Sequence, residues 1–390
     1  MTHPPVFRRA KRIESLEISE IVQLTERAVS LRAEGKDVIA LTTGEPDFPT
    51  PPHIIEAAHQ AGLAGQTRYP ATLGTPALRD AIAAQNAVTR AEVIVSTGAK
   101  QVIANAMLAT LDEGDEVIMP APYWTSYSDI VVMAGGHAVV IPCPADQDFK
   151  ITPAQLEAAI TPATRWVMLN APANPSGAIY SVAEQQALAE VLSRHPHVMI
   201  LVDEIYEHLS FVPFQSFKTT APHLADRMLI VNGVSKAYSM TGWRIGWGIG
   251  PVEMIRTLGS VQGQITSGAC SIAQAAALTA LTADQSFIAD RREILRQRRD
   301  KVVAALNALP GVTCASPDGA FYVFPDIRAA MAQRGFDSDA AFCAALLDTR
   351  GLALVPGRAF GLPGHLRLSF AYSDADLDAG LARLTRFLDR

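Results

Sequence analysis

The chain has little charge and little cysteine. Only 18% of its 390 residues are charged against 49% hydrophobic, a balance that excludes wholesale disorder and calls for a large buried core. Its four cysteines (Cys143, Cys270, Cys314, Cys343) stand singly without a CxxC pair. That spacing argues against a disulfide framework or a thiolate zinc site and makes a reducing cytoplasm the expected location. Basic charge is not in excess: 33 Lys and Arg against 39 Asp and Glu leave a net charge of -6, so no nucleic acid and no anionic membrane is expected as a partner. No apolar run approaches the ~20 residues that span a bilayer. The basic stretch Met1 to Glu14 lacks the apolar segment of a signal peptide. Among nine histidines there is no HExxH or comparable ligand cluster, so no metal is expected. Lysine is scarce, 7 residues against 26 arginines, so a lysine among small or apolar neighbours stands out.

From about residue 92 onward, short β-branched runs alternate with helical patterns. Glu92–Ser96, Glu116–Met119, Ala138–Ile141, Trp166–Leu169, Met199–Val202 and Met228–Val231 read as strands, and Val182–Ser193 as a helix. Apolar runs buried on both faces and spaced by helices predict an α/β fold with a mostly parallel sheet. Arg244–Gly250 is a further, glycine-rich strand. After Phe287 comes a long arginine-rich helix, Asp290–Leu306, then shorter strands at Phe321–Phe324 and Leu366–Ser369. With the extended Ile39–Leu41 these form a small α+β unit drawn from both ends of the chain. The expected division is 1–46 and 289–390 for the small domain and 47–288 for the large one, with Pro49, Pro51 and Pro52 marking the first crossing.

Strands of an open parallel sheet aim their carboxyl ends at one crevice. The residues found there are Gly98-Ala99-Lys100, Tyr123-Trp124, Asn170 to Gly177, Asp203 to Tyr206, and Ser235-Lys236. Lys236 follows an apolar strand among small residues; a desolvated amine there becomes a nucleophile toward carbonyls, although a solvated loop lysine is the plainer alternative. Arg244 and the helix start at Gly98-Ala99 could together bind a phosphate. Asp203 ends a buried strand and needs a cationic partner, unless it only caps the next helix. The Asn170–Gly177 segment is either a tight turn or a source of an amide at the crevice.

Asn174-Pro175-Ser176-Gly177, Asp203-Glu204-Ile205-Tyr206 and Ser235-Lys236-Ala237 through Gly242-Trp243-Arg244 resemble, in order and spacing, the motifs of class I/II aminotransferases. The resemblance runs from Leu41–Phe48 to Arg367 and lies nearest the bacterial aspartate (aspartate/prephenate) subgroup. It implies the fold type I scaffold, with a seven-stranded sheet in the large domain, and the cofactor pyridoxal 5'-phosphate. It further implies that Lys236 attaches the cofactor and shuttles the substrate proton, that Asp203 keeps the pyridine nitrogen protonated, and that Asn174 and Tyr206 hydrogen-bond the phenolic oxygen. Trp124 would stack on the ring, and Gly98, Ala99, Ser235 and Arg244 would hold the phosphate. Tyr69 would reach the phosphate of a neighbouring subunit, making a homodimer with shared sites.

By the same resemblance Arg367 clamps the substrate α-carboxylate, helped by Gly44 and Asn174, and Lys100, beside the cofactor, reads a distal carboxylate. One departure bears on specificity. The subgroup's Lys-Pro-Ser-Ala-Thr stretch is Glu17-Ile18-Ser19-Glu20-Ile21 here, and if it closes over the substrate its glutamates would disfavour a dicarboxylate. The expected activity is transfer of an amino group between an L-amino acid, aspartate first, and a 2-oxo acid such as 2-oxoglutarate. Aromatic, prephenate or broad-range transamination is the alternative, followed by C–S β-elimination. A dinucleotide site at Gly246-Trp247-Gly248-Ile249-Gly250 lacks the third glycine at the required spacing. A ligand-sensing regulator would need a fused helix-turn-helix domain, which is not expected in the forty or so residues before the first motif.

Overall fold

A computed structural model describes residues 7–14, 16 and 18–389. Strand β1 (Ile39–Ala40) lies in a small sheet. The large sheet comprises β2 (Val93–Thr97), β3 (Glu116–Ala121), β4 (His137–Pro142), β5 (Thr164–Asn170), β6 (Met199–Asp203), β7 (Met228–Gly233) and β8 (Ile245–Ile249). Their spatial order is β2-β8-β7-β6-β5-β3-β4. All pairings are parallel except those of β8, which runs antiparallel to β2 and β7. The mostly parallel sheet expected from the apolar runs is therefore present, with the seven strands that the family resemblance implied.

Successive strand residues face opposite sides. Ile94, Val117, Met119, Trp166, Met168, Leu201 and Leu229 pack on one face. Val93, Val95, Ile118, Val167, Leu169, Ile200 and Ile230 pack on the other. Burial on both sides is why these strands read as unbroken apolar runs, each large side chain contributing roughly 1.5–3 kcal/mol. The helix Val182–Ser193 begins where Ser181 and Glu184 form a reciprocal capping box.

The remaining strands are β9 (Tyr322–Val323), β10 (Leu352–Ala353), β11 (Val355–Pro356) and β12 (Leu366–Ser369). Strand β1 pairs parallel with β10, and β11-β12-β9 form an antiparallel sheet. N-terminal and C-terminal segments thus meet in one small unit. The arginine-rich helix runs Ser286–Asn307, longer than the sequence pattern showed, so a division at 288/289 falls inside it. Its Arg298 makes a bidentate pair with Asp47 (2.8 and 3.0 Å), tying the helix to the segment that follows β1. Among the described residues, no helix is long and apolar enough to cross a membrane.

Candidate active site

A cleft of about 350 Å³ opens where β5, β6 and β7 end. Gly44, Ala99, Lys100, Trp124, Asn174, Asp203, Tyr206, Ser235, Lys236, Arg244 and Arg367 all line it. Eleven of the thirteen residues singled out from the sequence therefore converge, although Gly44 and Arg367 are 323 positions apart in the chain. Gly98 stands behind the cleft wall and Tyr69 stands apart from it.

Lys236 is half-buried, and its Nζ donates to the Gly44 carbonyl (2.6 Å). Burial, then the charge of Arg367, brings its amine down to about 8, with Asp203 acting in the opposite sense. Asp203 closes β6 beside Asn170, its register partner on β5. Its Oδ2 accepts from the Tyr127 hydroxyl (2.7 Å) and its Oδ1 from the Ile205 N–H (3.1 Å). Burial raises the Asp203 carboxyl, while those two donors and Lys236 oppose the shift. The Ile205 contact shows that Asp203 also shapes the local turn, but the next helix, Glu207–Leu209, takes no cap from it.

Arg367 is buried on β12 without a carboxylate partner among the described residues. Nη1 donates to Asn174 Oδ1 (2.9 Å) and Nη2 to the Thr42 carbonyl, whereas Nε has no partner among the described residues. Tyr322 and Phe360 hold the guanidinium between their rings, 4.5 and 4.9 Å from its carbon. The carbonyl that steadies Arg367 belongs to Thr42; the Gly44 carbonyl serves Lys236 instead. Asn174 takes its position from Asn170, whose Oδ1 accepts the Asn174 N–H (2.8 Å) and whose Nδ2 donates to the Asp203 carbonyl (2.8 Å).

At the other end of the cleft, Gly98 has φ +80° and precedes the helix Ala99–Thr110. A Cβ at position 98 would lie 2.6 Å from Arg244 Nη2, so glycine lets the guanidinium reach the helix start. Arg244 itself is left-handed (φ 58°), and its Nη1 donates to the Thr241 carbonyl (2.9 Å). Free N–H groups, the positive end of the helix and an arginine together form an anion cradle. Lys100 lies with Nζ 4.8 Å from the centre of the Trp124 ring, and burial, then Arg244, lowers its amine.

Tyr127, Tyr322, Thr43, Glu45, Thr241 and Ile21 also line the cleft. None had been singled out as a site residue. Tyr127 sits three residues after Trp124 in the turn and helix that follow β3, a spacing that puts both on one side. Tyr322 on β9 gave no such signal. In the N-terminal departure, Glu20 begins the helix Glu20–Ala33 and pairs with Arg358 (2.7 Å), while Ile21 faces the cleft. The negative charge expected over the substrate is thus directed away at Glu20; Glu17 lies outside the described residues. Tyr69 is 94% exposed.

The chain matches, over residues 36–384, the family model described as aminotransferase class I and II. A Rhizobium meliloti (strain 1021) protein named aspartate aminotransferase is 49% identical, the alignment covering 98% of this chain and 97% of that one. A Cereibacter sphaeroides protein named aspartate/prephenate aminotransferase is 50% identical over 95% and 96% of the two chains. The crystal structure of the aspartate aminotransferase from Rhizobium meliloti aligns with a TM-score of 0.95 at 48% identity, covering 99% of this chain and 100% of that one. The Thermus thermophilus aspartate aminotransferase with maleate gives 0.92 at 39% identity, covering 98% and 100%.

Proposed function

We propose that this chain, which belongs to the class I and II aminotransferases, uses pyridoxal phosphate to move an amino group between L-aspartate and 2-oxoglutarate. The observation that carries this reading is Lys236, its amine brought down to about 8, in one cleft with Asp203 and with a buried Arg367 that has no carboxylate partner among the described residues.

The donor set fits the cofactor. The Gly98 and Arg244 cradle suits a phosphate dianion, with Ala99 and Ser235 beside it. Asp203 is a buried carboxylate suited to a protonated ring nitrogen, and Trp124 offers an aromatic face. Asn174 and Tyr206 bring polar groups toward the position of a phenolic oxygen. When bound, pyridoxal phosphate supplies an electron-poor ring that accepts the electron pair left at the substrate α-carbon, and a carbon that carries the amino group between two half-reactions.

The protein's own residues do the rest. Arg367 orients the amino acid through its α-carboxylate, which answers the guanidinium's missing acidic partner. Lys236 moves the proton at the substrate α-carbon. Brought down to about 8, that amine is neutral far more often near neutral pH than an ordinary lysine's. Lys100, at the cleft wall, reads the distal carboxylate of a dicarboxylic substrate. Aspartate as donor is supported by Lys100 and by the names of the similar proteins. We also propose a homodimer, in which the exposed Tyr69 of one copy completes the phosphate site of the other, and a reducing, cytoplasmic setting in which the four cysteines stay free.

The test is the visible spectrum of the cofactor-loaded protein. L-aspartate without an oxo acid should bleach the cofactor's visible band, and 2-oxoglutarate should restore it. A band that ignores aspartate but answers an aromatic amino acid would redirect the substrate assignment. Pyruvate and ammonia released from a cysteine thioether, without oxo-acid dependence, would replace transfer by elimination.

A further inference from the structure

We propose that Tyr322 is a positioning residue for Tyr206, linking the arginine that binds carboxylate to the hydroxyl that faces the cofactor; this rests on the functional reading above. Tyr322 is fully buried on β9. Its register partner on β12 is Ser369, so Arg367, two residues back, is its diagonal neighbour on the same face. Its ring covers the Arg367 guanidinium, and its hydroxyl lies 2.8 Å from that of Tyr206, whose ring it meets edge-on (81°). A side chain at position 44 would collide with the Tyr322 hydroxyl, so Gly44 leaves room for this link.

The chemistry follows from proton counting. A phenol has one proton to give and lone pairs to accept with. If Tyr206 donates to Tyr322, its proton is turned away from the cleft. If Tyr322 donates, the Tyr206 proton is free to point at the cofactor's phenolic oxygen. Tyr322 has no other hydrogen-bond partner among the described residues, and the neighbouring guanidinium polarises it toward donation. Tyr322 thereby sets the direction of the Tyr206 hydrogen bond and strengthens it, from the strand pair that carries Arg367.

The experiment compares Tyr322→Phe, Tyr206→Phe and the double variant as cofactor-loaded protein. The readouts are the pH midpoint of the visible band, and kcat and KM for aspartate. Phenylalanine removes one oxygen and keeps the ring on Arg367. Tyr322→Phe should move the midpoint in the same direction as Tyr206→Phe, by up to about one pH unit, as expected for one net hydrogen bond. Its kcat should fall about two- to tenfold, with KM held within about twofold. In the Tyr206→Phe background, removing the Tyr322 hydroxyl should change nothing further. Additive shifts, or an unmoved midpoint in Tyr322→Phe, would overturn the proposal. A raised KM with an unmoved midpoint would make Tyr322 a substrate contact instead. If Tyr206→Phe alone leaves the midpoint unmoved, it is the role given to Tyr206 that fails.

Discussion

Replacing Arg367 by lysine tests the carboxylate site without deleting its charge. A guanidinium has five N–H groups. One on Nη1 serves Asn174 and one on Nη2 serves Thr42, which leaves three, including the unpartnered Nε, to meet a carboxylate bidentately. Each charge-assisted hydrogen bond contributes about 1.5–3 kcal/mol. A lysine retains at most one of the two, at a shorter reach, and loses the stacking between Tyr322 and Phe360. The loss is therefore about 2–3 kcal/mol, or roughly 30- to 150-fold in kcat/KM for aspartate at 1.36 kcal/mol per decade. Reduction of the oxo-acid product by a coupled dehydrogenase measures it. The half-reaction with an amine of the same side chain but no α-carboxylate, followed by the cofactor spectrum, is the control. That amine should lose less than about threefold, because it never used the paired donors. Equal losses for amine and amino acid, or a loss below about fivefold for aspartate, would refute the assignment of Arg367 as the carboxylate clamp.

Lys236→Ala should abolish steady-state turnover while the protein still folds and takes up cofactor, as absorbance after gel filtration would show; undiminished turnover would remove Lys236 from the proton path. Lys100→Ala should raise KM for aspartate and glutamate by about tenfold or more relative to monocarboxylic amino acids, the range expected for one charged hydrogen bond. Parallel losses for both substrate classes would end its role as reader of the distal carboxylate. Glu204 is buried outside the cleft, accepts from Ser216 Oγ (2.9 Å) and the Phe217 N–H (3.0 Å), and is pushed up to about 8, chiefly by burial. A carboxyl raised in the folded state gives stability that is complete below its unfolded value, near 4.5, and is lost as pH rises through about 8. The difference in unfolding free energy between wild type and Glu204→Gln should therefore change by a few kcal/mol between pH 5 and 8, with the wild type weakening toward pH 8. Denaturant curves that stay parallel across that range would contradict it.

The site residues that were legible share a position. Lys236 and Asp203 come at or just after the ends of apolar strands, where a polar residue breaks the run and must face the crevice. Gly98 was legible because a glycine before a helical pattern marks a possible anion cradle. Tyr127 and Tyr322 were not, since an aromatic inside a helix or strand reads as core until its hydroxyl is seen to reach Asp203 or Tyr206. The hold of Thr42 on Arg367 was out of reach for a different reason: a backbone carbonyl acts without regard to its side chain. Glu20 shows the same limit in charge. Its pairing with Arg358, 338 residues away, could not be seen in a segment whose composition alone suggested repulsion of a dicarboxylate. Chain order supplied the strands, but long-range pairing decides which charges the cleft contains.

Those charges bear directly on the ligand. Among the described residues, Lys100, Lys236, Arg244 and Arg367 line the cleft with Glu45 and Asp203 as its two acidic groups, in a chain whose net charge is -6. Positive groups gathered in one partly buried pocket of an acidic protein repel one another, which is one reason Lys236 is brought down to about 8. An anionic ligand would offset that repulsion. A phosphate dianion at Arg244, an α-carboxylate at Arg367 and a second carboxylate at Lys100 would place one anion against each permanent cation, leaving Lys236 free to give up its proton. Asp129 offsets part of the Lys100 charge; a dicarboxylic substrate would offset more of it than a monocarboxylic one, which is the electrostatic argument for the proposed substrate.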